Sequence, residues 1–424
     1  MKFKLSFKLF RIEVIELLFV IYLTSGLIKS YINVFNINLP IDFTILTTLI
    51  LIFAMIAKRN FRFTSNIAQY QPIIIISIFF MVIIISLSYT SSKIYSISKT
   101  FLFLTNIIPI VLLSISRNFN VNKFLKYFII LTLLYFIFYL PILILSLNSQ
   151  INLMQNLNLL AGSLYLTIGE MLGASIIIII SNKNVFGDKK IDIIFLFLSI
   201  LALIQTGARG PILAVIIVLL IYGIKKYFIR QKLNIKKSYI KIIIIFLALI
   251  LILYFKVPEI KITIDRTIAR SSLLINGLRE GSGLGDSGDS RIKMYYDSFN
   301  IMKKLGWRVI IGSGIGSYGV EAYGIDFRAY PHNVLLEIFL ELGGVGFIIF
   351  ICFLIVSLAT GKGKYGTMGY ILLYMLINVM KSSSLVDIRT IFMFIMIQWY
   401  QKNIIPISKQ FIYNNNDRGE SKIL

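Results

Sequence analysis

Residues 72–88 read PIIIISIFFMVIIISLS, without one charged side chain. In water, a run so rich in isoleucine would favour a strand, because β-branched side chains pack well on a pleated surface. In hydrocarbon, only a helix or a closed barrel satisfies the backbone. A continuously apolar run of roughly 17 to 25 residues is the length a helix needs to cross a bilayer. Comparable runs fill most of the chain, at 12–28, 41–57, 101–116, 124–147, 157–180, 191–206, 211–229, 239–255, 333–359, 366–380 and 386–401. The expected architecture is an all-α integral membrane protein, one polytopic domain over residues 1–424, with about a dozen transmembrane helices. The polar segment 256–332 is the long connection, a large outer (periplasmic) loop carrying short helices. No internal repeat and no separate soluble domain is evident.

Composition agrees: 57% of residues are hydrophobic and 15% charged, too little charge for a water-soluble chain of this size. A net charge of +24 would suggest nucleic acid in a soluble protein. Here the basic residues sit mostly between spans, so the charge reads as topology and the partner is the lipid bilayer. With the N-terminus inside, the inner segments carry Lys58, Arg59, Arg62, Arg117, Lys123, Lys126, Lys183, Lys189, Lys190, the run from Lys225 to Lys241, and the basic tail. The short outer loops hold only Lys29, Lys93, Lys99, Arg209 and Lys381, and Arg389 falls in the last span. This asymmetry places both termini in the cytoplasm. The first span, with Glu13 and Glu16, is the weakest of the set. It reads as a retained helix, because no small-residue cleavage site follows it. The single cysteine, Cys352, excludes a disulfide framework and a cysteine metal site.

Four places could carry chemistry. Thr206-Gly-Ala-Arg-Gly-Pro211 is a hairpin that puts Arg209 at the outer surface, as a fork for phosphate oxygens or as a lipid contact. His332, the lone histidine, stands where the long loop re-enters the membrane. It could accept a proton or simply cap the next helix. It opens Pro331-His-Asn-Val-Leu-Leu-Glu337, which leads to Glu341-Leu-Gly-Gly-Val-Gly346, whose glycines suit close helix packing. The outer loop has helical periodicity from about 291 to 304. It carries Arg266, Arg270, Arg279, Arg291, Arg308 and Arg328 with Tyr295, Tyr296 and Trp307. A solvated face drawn to anionic lipid is the plainer reading of that basic loop. Gly281 to Gly288 reads as a hinge. The run Gly312-Ser-Gly-Ile-Gly316 has no Gly-Lys-Ser/Thr and is not a nucleotide phosphate loop. Glu170, inside the sixth span, is either a functional group or half of a buried pair. Asp42, Asp192 and Asp387 lie at span ends and read as topological. The loop has no paired carboxylates at Asp-x-Asp spacing and no His/Cys cluster, which argues against a metal, and no cofactor is expected.

Taken in order, Arg209-Gly-Pro-Ile-Leu213, Arg291, Gly312-Ser-Gly-Ile-Gly316, His332-Asn-x-x-Leu336 and Glu341-Leu-Gly-Gly-Val-Gly346 resemble the motifs of the O-antigen ligase and O-antigen polymerase superfamily of bacterial polytopic glycosyltransferases. The resemblance covers about residues 200 to 350. Ala208 stands where the family often has serine, and Tyr295 and Tyr296 stand near an expected tryptophan. It implies a location in the bacterial inner membrane and a donor glycan on undecaprenyl pyrophosphate at the outer leaflet. The acceptor is then a second lipid-linked glycan in a polymerase or lipid A-core in a ligase, and polymerisation leaves room for a chain-length regulator. A lipid-linked-sugar flippase is the reading from a different class, and Glu170 is its main support. In the transferase reading Arg209 and Arg291 clamp the pyrophosphate and His332 is the base. Asn333, Arg270, Arg279, Tyr295, Tyr296, Trp307 and Glu170 bind substrate, with the rings stacking on sugars.

Overall fold

The computed structural model describes residues 14–34, 42–58, 60, 70–147, 155–182, 184–230, 286–359 and 366–403, with single positions 255, 261, 262 and 265. Among these every regular element is helical. The span expected at 239–255, most of the loop from 256 to 285, and Arg266, Arg270 and Arg279 lie outside the described residues.

Among the described residues, four helical stretches are long and apolar enough to cross a membrane: Tyr95–Ser114, Val121–Leu143, Leu164–Ser181 and Val334–Val356. A fifth crossing is possible if Val14–Leu23 (α1) and Ser25–Val34 (α2), bent by 64° at the break between them, act together. Phe43–Ala57 (α3), Gln71–Ser86 (α4) and Met368–Ser382 are apolar but shorter. The described residues thus support a multi-pass membrane protein. The opening charges also have a place in it: Glu16 is buried and its carboxylate accepts from the backbone N–H of Asn120 at 2.6 Å.

Tyr95–Ser114 (α5), Val121–Leu147 (α6) and Gln155–Ser181 (α7) follow α4 in the chain. Aromatic rings join the first of these to its neighbours. Phe103 packs edge-on against Phe79 of α4 and Phe392 of Arg389–Asn403 (α14), with centroids 5.6 and 6.1 Å apart. Phe353 of Val334–Ala359 (α12) meets Phe392 at 5.4 Å. Arg389, expected within the last span, is its first helical residue. Its Nη1 donates to the Tyr22 carbonyl at 3.0 Å and to Ser25 Oγ at 2.6 Å, across the bend between α1 and α2.

The hairpin is built by its own residues. Lys189–Thr206 (α8) ends at Gly207, whose φ of 65° is the left-handed cap conformation that favours glycine. Arg209–Arg230 (α9) starts two residues later with Pro211 in its first turn, where a missing N–H costs nothing. Gly169 of α7 faces Ala208 and Gly173 faces the Tyr374 hydroxyl, so α7 approaches both the hairpin and Gly366–Ser382 (α13) closely.

Asp286–Leu305 (α10) confirms a helix across 291–304 and already includes 286–288, which corrects the hinge expected there. Its inner face, with Ile301, Met302 and Leu305, packs on Tyr318 of the short helix Tyr318–Tyr323 (α11) and on Leu340 of α12. The glycines of α12 also act differently from expectation. Gly343 has φ 66° and ψ −169°, which breaks the helix and frees the carbonyls of Leu340 and Glu341. These accept from the N–H groups of Ser313 at 3.0 Å and Gly314 at 2.8 Å. Gly312 has φ 79°, and a side chain there would fall on the Glu341 carbonyl. The run 312–316 is therefore a structural plug in the break of α12. Its other side rests on the turn between α4 and α5: Tyr89 and Thr90 donate to the carbonyls of Ile311 and Ile315 at 2.6 and 2.9 Å.

Candidate functional site

The loop between α11 and α12 is fixed at its far end by Asp326. Its carboxylate accepts from the N–H groups of Lys93 and Ile94 at 2.8 Å each and from Ser92 Oγ at 2.7 Å, capping the start of α5. Those bonds, the Ile94 N–H first, hold Asp326 below the usual carboxylate range. Two residues on, Arg328 pairs with Asp387 at 3.1 Å. The chain then reaches His332, one of two non-glycine residues with positive φ (55°) among the described residues. Its ring lies 4.6 Å from that of Tyr330, and Nδ1 lies 3.4 Å from the Ser382 carbonyl. A carbonyl can only accept, so Nδ1 carries the proton and Nε2 keeps the lone pair that a base requires. Asn333 has a helix-building part: its Oδ1 accepts from Leu336 N at 3.1 Å as the cap of α12. Its amide nitrogen is the end left for a substrate.

Burial, reinforced by the positive charge of Arg291, lowers the pKa of His332 below its ordinary 6.5, although the bond to Ser382 opposes this. The imidazole is neutral at pH 7. If it acts as a base, activity requires the deprotonated form. The rate is then expected to be flat through neutral pH and to fall on acidification through a midpoint below 6.5. A pH profile of product formation checks this, and an acid limb centred above 6.5 contradicts it.

Arg209, Arg291, His332 and Glu170 come from four separate elements and gather at the C-terminal end of α13. Ser382 Oγ donates to Glu170 Oε1 at 3.4 Å, while the carbonyl of the same residue meets His332. Arg291 lies within electrostatic range of His332 and of Lys381, and Lys381 is within range of Arg209 and Glu170. Tyr295 is half-buried one helical turn beyond Arg291. Tyr296 and Trp307 are 67% and 74% exposed.

A second polar cluster underlies the first. Lys99, placed in an outer loop by the sequence reading, is instead fully buried in α5. Its Nζ lies 2.5 Å from Glu337 Oε1 and 2.8 and 2.7 Å from the two oxygens of Glu341. Glu337 also accepts from Ser384 Oγ and Leu385 N, both at 2.8 Å, and Glu341 from Gly316 N at 2.9 Å. One ammonium thus joins α5, α12, the glycine plug and the turn after α13. Glu337 is one turn beyond Asn333, and Ser384 is two residues beyond Ser382, so this knot sets where His332 and its carbonyl partner stand. The sequence signal was present in Glu337 and Glu341, two carboxylates one turn apart in an apolar helix, which require a cation.

No curated protein matches the chain. Residues 194–351 match the family described as O-antigen ligase, a stretch that holds Arg209, Arg291 and His332. Over that stretch the chain is similar to the O-antigen ligase family.

Proposed function

We propose that this protein transfers a glycan from undecaprenyl pyrophosphate to an acceptor hydroxyl, at the outer face of the bacterial inner membrane and with both termini in the cytoplasm. The observation that carries the reading is the gathering of Arg209, Arg291 and a neutral His332 at one end of α13. His332 Nε2 takes the proton of the acceptor hydroxyl as its oxygen attacks the anomeric carbon. The bond from that carbon to the pyrophosphate oxygen breaks, and the electron pair leaves with the polyprenyl pyrophosphate. The guanidinium groups stabilise the charge that develops on the leaving oxygens. A pyrophosphate is already a good leaving group, so the reaction calls for neither a metal nor a cofactor. The exposed rings of Tyr296 and Trp307 are suited to stacking on acceptor sugars, and the apolar helices would hold the prenyl chains.

The favoured acceptor is a second lipid-linked repeat unit, which makes the protein a polymerase of O-antigen or capsule, open to a chain-length regulator. The ligase reading, with lipid A-core as acceptor, draws on the description of the matched family. Glu170 stands beside Lys381 and Ser382, which supports a part in the transferase reading rather than in a flippase. Arg209→Ala and Arg291→Ala are each expected to abolish polymer in a strain lacking the native gene, with membrane levels unchanged on an immunoblot. Arg209→Lys is also expected to lose most activity, because a point charge does not reproduce the planar fork. Wild-type polymer from either alanine variant overturns the assignment.

A further inference from the structure

Lys381 has no place in the motifs that relate this chain to that family, yet it stands at the middle of the cluster. It ends α13, next to the Ser382 that touches both His332 and Glu170. It also reaches the hairpin. A side chain on Gly210 would fall on the Lys381 ammonium, with Cε and Cδ only 2.9 and 3.2 Å from the same point. The ammonium therefore rests against the first turn of α9, the positive end of a helix, where a cation is disfavoured. Arg209 and Arg291 are in electrostatic range as well.

Two of the neighbouring acids are engaged elsewhere. Asp387 is paired with Arg328, and Glu337 is held by Lys99. Among the described residues that leaves Glu170 as the carboxylate acting on Lys381. Lys381, Arg291 and the first turn of α9 bring positive charge together beside Glu170, and such a place attracts an anion.

We propose that Lys381 is a third cationic ligand of the donor's pyrophosphate, held beside Glu170 until the donor enters. This rests on the donor reading given above. It divides the work: the two guanidinium groups grip oxygens in fixed geometry, and the flexible ammonium follows the second phosphate as the leaving group departs.

The test is equilibrium binding of radiolabelled undecaprenyl pyrophosphate to the full-length protein in detergent, with undecaprenol as the uncharged control. Lys381→Met is expected to weaken binding by about tenfold or more, the factor for losing one charge-assisted hydrogen bond. Lys381→Arg keeps the charge and is expected to stay within about threefold of wild type. Gly210→Ala retains the lysine but displaces it, and is expected to weaken binding like Lys381→Met. This second variant decides the matter if Lys381→Met fails to fold. Wild-type affinity in both Lys381→Met and Gly210→Ala overturns the role of Lys381 and leaves the donor reading standing. A wild-type protein that binds the pyrophosphate lipid no better than undecaprenol overturns the donor reading, and this role with it.

Discussion

His332→Ala is expected to reduce glycan transfer by about 10²- to 10⁴-fold, the usual contribution of a positioned general base. The protein should still insert and fold. The ring is only half-buried, and its one bond to the chain is a 3.4 Å contact with the Ser382 carbonyl. Its φ of 55° is no easier for alanine to adopt, so little stability is at stake either way. His332→Gln separates two roles. A glutamine amide can donate to the Ser382 carbonyl but cannot take a proton from an acceptor. If His332 only orients neighbouring groups, the glutamine variant keeps much of the activity; if it is the base, glutamine is as inactive as alanine. Initial rates of product formation, compared at equal protein in membranes, distinguish these. A wild-type rate from the alanine variant removes the base from the mechanism.

Lys99→Met is expected to be among the most destabilising single changes in the chain. It leaves two carboxylates, 0% and 1% exposed, facing one another without a cation. Removing one partner of a buried ion pair typically costs about 3–5 kcal/mol. The loss would also reach the site, since Glu337 and Glu341 fix the turn after α13 and the plug at Gly316. Thermal unfolding in detergent should show a large drop in midpoint, or the protein should fail to accumulate. Adding Glu337→Gln and Glu341→Gln to Lys99→Met removes the uncompensated charge, and amide oxygens still accept from Leu385 and Gly316. The triple variant is therefore expected to regain much of the lost stability. A single variant as stable as wild type would contradict the account of this knot.

The sequence made the membrane class legible because an apolar run such as 72–88 has one stable form in hydrocarbon. Arg209, Arg291 and His332 stood out in the sequence because each is the charged or titratable residue within a short ordered motif, and the fold brings them near one another. What was not legible came from contacts between distant segments. Lys99 stands two residues before an expected span boundary, and a basic residue there is assigned to the nearer loop unless a buried acid is known to face it. Its partners lie 238 and 242 positions away. Lys381 was read as a loop residue for the same reason. The glycines 343 and 344 suggested helix contact by composition, whereas the break at Gly343 depends on the plug that fills it. Asn333 was assigned to substrate, and its Oδ1 is used to start α12.

Glycan transfer from a polyprenyl pyrophosphate is the activity proposed for this cluster. Its most direct test is to incubate the purified protein, without nucleotide or added metal, with native undecaprenyl-pyrophosphate-linked repeat units and resolve the products on a gel. A ladder of lengthening glycan with release of undecaprenyl pyrophosphate is expected, absent in Arg291→Ala. Transfer only after addition of lipid A-core would replace the polymerase with the ligase and keep the chemistry. No transfer to either acceptor, from a protein that moves the same lipid-linked units across vesicle membranes, would contradict it.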